Sequence, residues 1–317
     1  MKFLRPILLI LLATFALAAQ NEKVLSENMS SANSAVGTTT YTFVTFTKMD
    51  FAAFDVGCGS EGDVCAISPK KDLYCYKYSE DKWEQIPLHD EISDLVAVDV
   101  DDDGKIYVCA LCGCFYLDCH NKWIKLPGTG KDIGVGVNFQ VWKIGNDKEK
   151  DTNNHGVWKL FCECDCDCIC SRICIRFRSY SFNVCDPIVR RKCHWFRAGI
   201  YGVAVDVHPD GSAAVVKEDG SVHIVDGMTF EVSSLPSVPS GAVDVTYGNT
   251  GRLFVTGSDG KIYKYNVDKK EWEVVEDVPV PGLRICGTAY DHIFFTAKDD
   301  DLTKRYIYTS ALHDYLN

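Results

Sequence analysis

Three aspartates at alternate positions, Asp99, Asp101 and Asp103, precede Gly104 in the stretch VAVDVDDDGKIYV. Carboxylates spaced in this way open the calcium loop of an EF-hand. Such a loop also requires flanking helices and a bidentate glutamate at its twelfth position, and that position is Ala110. Because the flanks are β-branched, the pattern favours an acidic hairpin turn, with a calcium site as the alternative. No other cofactor is indicated.

Alternate cysteines in FCECDCDCICSRICIRF form a second group that could do chemistry. In a strand, such side chains face one side with Cα atoms about 6.5–7 Å apart, a poor distance for direct bridging. Each is therefore expected to pair elsewhere, within a set of eight whose connectivity the sequence leaves open. The eight are Cys162, Cys164, Cys166, Cys168, Cys170, Cys174, Cys185 and Cys193. A thiolate metal cluster is the alternative, but the secretory signal described below favours disulfides.

Histidine, serine and acidic residues show no arrangement typical of a catalytic centre. The histidines lack metal-ligand spacing, and no serine occupies a nucleophile elbow. Ser258-Asp259-Gly260 resembles part of a sialidase Asp-box, but Lys-Ile-Tyr follows in place of the Thr-Trp of that motif. We therefore predict that the chain is not an enzyme.

The N-terminus has the features of a secretory signal peptide, predicted over residues 1–18. Two basic residues precede a short apolar run, and the small-residue pattern ALA offers a cleavage site. A flexible polar leader is predicted over 19–40, and it contains Asn28 in a glycosylation sequon. The sequence thus predicts a protein that is secreted or lumenal in the secretory pathway, without a transmembrane segment.

Charge and composition narrow the function and the fold class. The net charge is −11, and an acidic surface repels phosphate groups, so nucleic acid is not an expected partner. Val, Ile, Tyr and Phe recur in short alternating runs between Gly, Asp and Pro, while helix signals are scarce. This composition predicts an all-β protein.

The opening stretch has two further copies, VAVDVHPDGSAAVV at 203–216 and AVDVTYGNTGRLFV at 242–255. All copies keep one aspartate among the first apolar residues, whereas the acidic triplet occurs only once. Each unit continues with two further strands, the last of which opens with a tryptophan in most units. Four strands in about 40 residues is the sequence form of a β-propeller blade.

Six such units predict a six-bladed β-propeller of four-stranded antiparallel blades. Their starts are Phe54-Asp55-Val56, Val98-Asp99-Val100, Asp132-Ile133-Gly134, Val205-Asp206-Val207, Val243-Asp244-Val245 and Arg284-Ile285-Cys286. The last unit has room for three strands, and a strand at 41–47 is predicted to complete it, because an open ring would expose two sheet edges. The recurring aspartate is interpreted as an internal hydrogen-bond anchor, since buried polar groups must be paired.

Two cysteine pairs fall opposite each other in the predicted hairpins. Cys65 and Cys75 flank one turn, and Cys109 and Cys114 flank another. We predict a cross-strand disulfide within the blade for each pair.

The segment KDIGVGVNFQVWKIGND, followed by GVWKL and later by VAVDVHPDGSAAVVKEDGSVHIV, resembles the tectonin β-propeller family. The resemblance spans most of residues 48–310 and implies a single propeller domain over 41–317. For secreted members it implies lectin-like binding of glycans, and for intracellular members it implies protein interaction. The chain departs from the family by a cysteine-rich insertion in the third unit, placed at 159–194.

We predict a secreted binding protein with lectin-like recognition of glycans or cell-surface carbohydrate. Trp142 and Trp158 beside the third unit are the first candidates for ligand binding, because sugars stack their apolar faces on exposed aromatic rings. For both, a place in the blade core is the alternative, and Trp195 is expected in the core. The second functional hypothesis is a structural or adhesive extracellular or secretory-granule component that acts through protein–protein contacts.

Overall fold

The alternating apolar runs form the strands of a six-bladed β-propeller, which confirms the predicted all-β fold class. The computed structural model describes residues 45–59, 61–118, 120–146, 155–163, 192–288 and 291–310. The predicted signal peptide, the leader and Asn28 lie outside these residues. Within the described ranges, no helix has the length and apolar character needed to cross a membrane.

Strand β1, Thr47–Ala52, comes before the first blade. The first blade contains β2 (Asp55–Cys58), β3 (Val64–Ile67), β4 (Leu73–Lys77) and β5 (Lys82–Gln85). The second contains β6 (Leu95–Val100), β7 (Ile106–Ala110), β8 (Gly113–Leu117) and β9 (Trp123–Leu126). The third contains β10 (Thr129–Gly136), β11 (Gln140–Asn146), β12 (Gly156–Glu163) and β13 (Lys192–Tyr201).

The fourth blade contains β14 (Ala204–Val207), β15 (Ala213–Val216), β16 (Val222–Val225) and β17 (Val232–Ser234). The fifth contains β18 (Ala242–Tyr247), β19 (Leu253–Gly257), β20 (Ile262–Asn266) and β21 (Glu271–Val274). The sixth contains β22 (Gly282–Gly287), β23 (Ile293–Ala297) and β24 (Tyr306–Thr309). Short 3-10 helices in the described part occupy Tyr78–Glu80, Val137–Phe139 and Leu302–Lys304. The first strand of each blade neighbours the first strand of the next, so six inner strands surround the axis.

Strand β1 supplies the outer strand of the sixth blade and closes the ring. It pairs antiparallel with β24, with Thr47 opposite Thr309 and Lys48 opposite Tyr308. A closing strand was predicted over 41–47. The strand that closes the ring spans Thr47–Ala52, and positions 41–44 of the predicted range lie outside the described residues. The later segment pairs because Met49 enters the core and Phe51 stacks on Trp83 with ring centroids 4.5 Å apart.

Apolar side chains fill the space between neighbouring blades. Between blades three and four, Trp142 and Ile144 pack with Val205 and Val215 in one buried cluster. Similar clusters lie between the other neighbouring blades. Because each sheet buries both of its faces in this way, the apolar area removed from water stabilises the stacking of the blades around the axis.

Four disulfides are present in the described residues. The two hairpin bridges expected from the sequence, Cys65–Cys75 and Cys109–Cys114, are formed. Cys162 bridges Cys193, which ties the ends of the two outer strands of blade three. The other six members of the predicted set of eight, together with residues 164–191 of the predicted insertion, lie outside the described residues.

The fourth bridge, Cys58–Cys286, was not predicted. It joins inner strand β2 of the first blade to inner strand β22 of the sixth, over a sequence separation of 228. A clue was available, because Cys58 lies four residues after Phe54 and Cys286 two residues after Arg284, each near the start of its unit, and a closed ring makes the first and last units neighbours. The chain is thus closed twice, by the pairing of β1 with β24 and by this disulfide.

Removing the Cys58–Cys286 bridge is expected to destabilise the fold more than removing a hairpin bridge. The bridge restricts a far longer loop of the unfolded chain, with separations of 228 against 10 for Cys65–Cys75. The C58A/C286A variant should lose about 2 kcal/mol more of its free energy of unfolding than C65A/C75A. Urea titration of the two oxidised variants measures this difference, and equal losses would contradict a role in ring closure.

Candidate functional site

Five inner strands each present one aspartate to the next blade, and we call these residues the aspartate ring. The ring consists of Asp55, Asp99, Asp132, Asp206 and Asp244. Their Oδ2 atoms accept backbone N–H groups of Val98, Val135, Val205, Tyr247 and Ile285, at 2.9, 2.6, 2.7, 2.6 and 2.9 Å respectively. Each carboxylate therefore links its own blade to the following one, as expected for internal anchors.

Arg284 takes the sixth position of this arrangement, on the inner strand of the last blade. Its Nε lies 3.7 Å from Asp55 Oδ1, and its Nη1 lies 3.7 Å from Asp244 Oδ1. The guanidinium therefore joins the two ends of the ring electrostatically. Because the guanidinium pairs with only two of the five carboxyl groups, the ring cannot be fully ionised without strong repulsion between its members.

Burial raises the pKa values of the ring carboxyl groups. It raises the pKa of Asp206 to about 6 and that of Asp244 to about 7, although Arg284 lowers the latter. For Asp99 and Asp132 burial also raises the pKa, and the carboxylates of Asp206 and Asp244 respectively add to the shift. Since non-adjacent blades influence each other in this way, the ring carboxyls face a common central space.

The acidic triplet that opens the repeat divides into separate roles. Asp99 belongs to the aspartate ring, whereas Asp101 caps the following turn and accepts the N–H groups of Asp103 and Lys105 at 3.0 and 2.9 Å. Asp103 forms an exposed ion pair with Lys105 at 3.7 Å. The triplet is thus an acidic hairpin turn, and no group of three potential metal ligands is found among the described residues.

The two tryptophans predicted to bind ligand are not available as open stacking surfaces. Trp142 is wrong as a candidate, because it is fully buried and its ring meets Phe230 edge to face at 5.9 Å. Trp158 is half-buried against the core, and its Nε1 donates to the carbonyl of Gly145 at 2.8 Å. Trp195 lies in the core as expected, with its Nε1 donating to the carbonyl of Pro127 at 2.6 Å.

An exposed aromatic cluster lies close to these tryptophans, on the outer part of blade three, and we call it the blade-three patch. It consists of Phe161, His194, Phe196, Met228 and Phe230. Phe161 and Phe196 are 39% and 47% exposed, and their rings meet edge to face with centroids 4.8 Å apart. Phe230 lies 6.2 Å from Phe161, and His194 lies 5.6 Å from Phe196. Met228, at 91% exposure, lies two residues before Phe230.

The register of blade three explains why these rings share one face. Phe161 pairs with His194, and Lys159 pairs with Phe196. Because successive side chains of a strand point to opposite faces, these four side chains all lie on the face turned toward blade four. Lys159 is buried there, and its Nζ donates to the carbonyl of Gly227 at 2.6 Å. Burial lowers the pKa of this lysine. The bond anchors the turn of blade four that carries the methionine and phenylalanine of the patch.

The blade-three patch was not predicted from the sequence. An exposed phenylalanine cannot be distinguished from a core phenylalanine by the alternation of one strand, because both faces of most propeller strands are buried. Available signals were the positions of Phe161 within the predicted insertion and of Phe196 just after it, on the two outer strands of the blade.

The chain matches no described protein family, and comparison with curated protein sequences finds no similar protein. Several solved structures share its fold. Streptogramin B lyase has a TM-score of 0.52 at 13% identity, over 84% of this chain and 96% of the lyase. A gluconolactonase from Xanthomonas campestris has a TM-score of 0.56 at 11% identity, over 83% of this chain and 88% of that chain. A catalytically inactive virginiamycin B lyase from Staphylococcus aureus, with quinupristin, has a TM-score of 0.50 at 13% identity, over 79% and 81%.

These similarities confirm the six-bladed propeller without supporting the tectonin family in particular. They also correct the prediction that the chain is not an enzyme, because the propellers that it resembles are enzymes. At such low identity the similarity concerns the fold alone, and the activities in those names belong to those proteins. The described part of the chain is a disulfide-rich propeller of a kind consistent with a secreted binding protein.

Proposed function

We propose that the chain is a secreted protein that binds carbohydrate through the blade-three patch. The observation that carries the proposal is the perpendicular pair Phe161 and Phe196, both exposed, with centroids 4.8 Å apart. A pyranose has an apolar C–H face and a polar rim, and it stacks on aromatic rings that water can reach. Two perpendicular rings present one stacking face and one edge, which form a corner for a single sugar ring.

Polar groups beside the aromatic pair support a sugar rather than a purely apolar ligand. His194 lies 5.6 Å from Phe196, and its exposed ring can exchange hydrogen bonds with hydroxyl groups. Glu231 follows Phe230 on the anchored turn and has an exposed carboxylate, whereas the hydroxyl of Thr229 donates to Asp226 Oδ1 at 3.0 Å within the turn. The arrangement has the composition of a small carbohydrate subsite, with apolar rings below and donors and acceptors around them.

The compartment and the family resemblance support the same proposal. Four bridges in the described residues fit an oxidising environment, in which extracellular glycans are the accessible ligands. The resemblance to tectonin propellers implies lectin-like binding for secreted members. The second hypothesis from the sequence is adhesion through protein–protein contacts. It would use the same surface, to which Met228 adds an apolar side chain that is 91% exposed.

Replacing Phe196 with alanine is expected to weaken glycan binding about 10-fold or more, because the ring supplies one wall of the proposed corner. Binding would be measured first on a glycan array and then by calorimetry with the best glycan, with and without calcium. Phe161→Ala should show a similar loss, and chelation of calcium should change nothing.

Leu111→Ala provides the matched control, because Leu111 is 58% exposed on blade two and lies outside the patch. This variant should keep the full affinity. If the folded wild type binds no glycan but retains a defined extracellular protein, and Phe196→Ala abolishes that retention, adhesion replaces carbohydrate binding. Glycan binding that both phenylalanine variants leave intact would place the site elsewhere.

A further inference from the structure

Four polar side chains on blade four, none of which belongs to the aspartate ring or the blade-three patch, form a continuous hydrogen-bonded row. The hydroxyl of Ser221 donates to Asp219 Oδ1 at 2.5 Å, and its oxygen lies 3.0 Å from Nε2 of His223. The other imidazole nitrogen, Nδ1, lies 3.1 Å from the hydroxyl of Ser234. This is the arrangement used in nucleophilic catalysis. A serine oxygen lies beside one imidazole nitrogen, and a third group forms a hydrogen bond with the other imidazole nitrogen.

Local structure explains how these groups meet. Ser221 ends the turn before β16, and His223 lies two residues later, so both side chains point to the same face of the strand. His223 pairs with Ser234 of β17 across the sheet, which brings the second hydroxyl to Nδ1. The one-residue spacing of Ser221 and His223 was readable in the sequence, but the contact with Ser234 needed the register.

The equivalent turn of blade five shows that the fold does not require this row. There Asp259 and Gly260 form the same turn, but Lys261 stands in place of the serine and Tyr263 in place of the histidine. Asp259 accepts the N–H of Lys261 at 3.1 Å and the hydroxyl of Tyr263 at 2.9 Å, which satisfies the turn. Blade four therefore carries a serine and a histidine where turn geometry alone accepts other residues.

The protonation of the row favours the histidine as the base. Burial and the nearby Lys217 lower the pKa of His223, so its imidazole is neutral at pH 7 and above. Hydrogen bonds from Ser221, followed by the charge of Lys217, lower the pKa of Asp219. The lowered pKa disfavours protonation of the carboxylate. For the reaction, the serine hydroxyl, which donates to Asp219 Oδ1 in the resting row, turns toward Nε2 and gives its proton to the imidazole.

We propose that Ser221 is a nucleophile for acyl transfer from small carboxylic esters, with His223 as its general base. The Ser221 oxygen adds to the ester carbonyl carbon while its proton moves to Nε2 of His223. The carbonyl oxygen becomes an oxyanion, which is favoured by the positive charge of Lys217, a charge that also acts on His223 and Asp219. The intermediate then expels the alcohol, which takes the proton from Nε2 and leaves an acyl-serine. Water repeats these steps and releases the carboxylic acid and the free hydroxyl.

Ser234 acts as a positioning residue in this proposal. When Nδ1–H donates to the Ser234 hydroxyl, Nε2 is left unprotonated and directed at Ser221. The row is open to solvent, because Asp219 and Ser234 are exposed. Such an open site suits small esters with good leaving groups, which need little binding to react.

The test uses the full-length, oxidised protein with a fluorophosphonate probe and with p-nitrophenyl acetate at pH 7.5. Peptide mapping should find the phosphonate on Ser221, and Ser221→Ala should abolish both the adduct and the esterase activity. His223→Tyr, which copies blade five, should lower both rates at least about 100-fold. The wild-type rate should be constant above pH 7 and fall as His223 becomes protonated below its lowered pKa.

Two controls separate catalysis from folding and from general serine reactivity. His223→Tyr should keep the wild-type thermal midpoint, since Tyr263 shows that this turn accepts tyrosine. Ser240→Ala should change neither the labelling nor the esterase activity. Ser240 is the matched control because its hydroxyl, like that of Ser221, donates to a carboxylate, that of Asp259, at 2.9 Å. Absence of an adduct on Ser221, or labelling that His223→Tyr leaves unchanged, overturns the proposal. Glycan binding by the patch is measured separately and does not depend on this outcome.

Discussion

Replacing Arg284 with methionine is expected to lower the free energy of unfolding by about 4 kcal/mol at pH 8. The guanidinium lies 3.7 Å from carboxylate oxygens of both Asp55 and Asp244, whose side chains are only 8% and 10% exposed. Methionine fills a similar volume but supplies no charge. Its introduction leaves two buried carboxylates without their cation, in a ring where burial already opposes ionisation.

The loss should depend on pH in a way that identifies its cause. At pH 5 the ring carboxyls with raised pKa values take up protons, so the missing cation matters less and the loss should shrink to about 1–2 kcal/mol. Urea titrations of wild type and Arg284→Met at both pH values measure this directly. A second substitution, Asp244→Asn, should restore part of the loss at pH 8, because it removes one of the uncompensated charges.

Lys304→Met serves as the control for charge removal, because Lys304 pairs with Asp301 at the surface, with side chains 65% and 45% exposed. Exposed pairs contribute little, so this variant should keep the stability of the wild type at both pH values. A loss for Arg284→Met that is the same at pH 5 and pH 8 would indicate damaged packing instead of an unpaired ring.

The fold was predictable because its information repeats locally. Asp99, Asp206 and Asp244 recur at one position of an alternating strand, and that recurrence identified the inner strands and the number of blades. The alternation of apolar and polar residues does not predict which group each aspartate contacts, because the backbone amide that it accepts from lies in the next blade. Arg284 was placed at a unit start, but its pairing with Asp55 across the ring closure depends on three-dimensional geometry.

The candidate sites were less predictable, because exposure is decided by the neighbouring blade. Trp142 lies on a strand of the third unit, and it is buried by blade-four residues such as Val205, Val215 and Phe230, which lie about sixty to ninety residues away in the chain. Phe161 and Phe196 remain exposed because they lie on outer strands, where the adjacent blade no longer covers them fully. The Cys58–Cys286 bridge likewise required the closed ring, since 228 residues separate its ends.

Lowering the pH from 8 to about 4.5 is expected to stabilise the protein by about 5 kcal/mol. The folded-state pKa values of Asp206 and Asp244 are raised from 3.8 to about 6 and about 7, so the folded chain binds more protons than the unfolded chain in this range. Their contribution to the free energy of unfolding is fully present below the unfolded-state pKa of 3.8, and it is lost as the pH rises through the folded-state pKa values of about 6 and about 7.

Other carboxylates determine the pH below which the protein loses stability again. The pKa values of Asp226 and Asp301 are lowered by hydrogen bonds within their own turns, so their contribution is present above 3.8 and is lost as the pH falls through the folded values. Stability should therefore pass through a maximum near pH 4–5. Thermal and urea unfolding from pH 3 to pH 8 measure the curve, and Asp244→Asn should flatten its slope between pH 6 and pH 8. A stability that rises steadily from pH 5 to pH 8 would mean that the ring is ionised in the folded protein, and the inner strands would then need another source of charge compensation than Arg284.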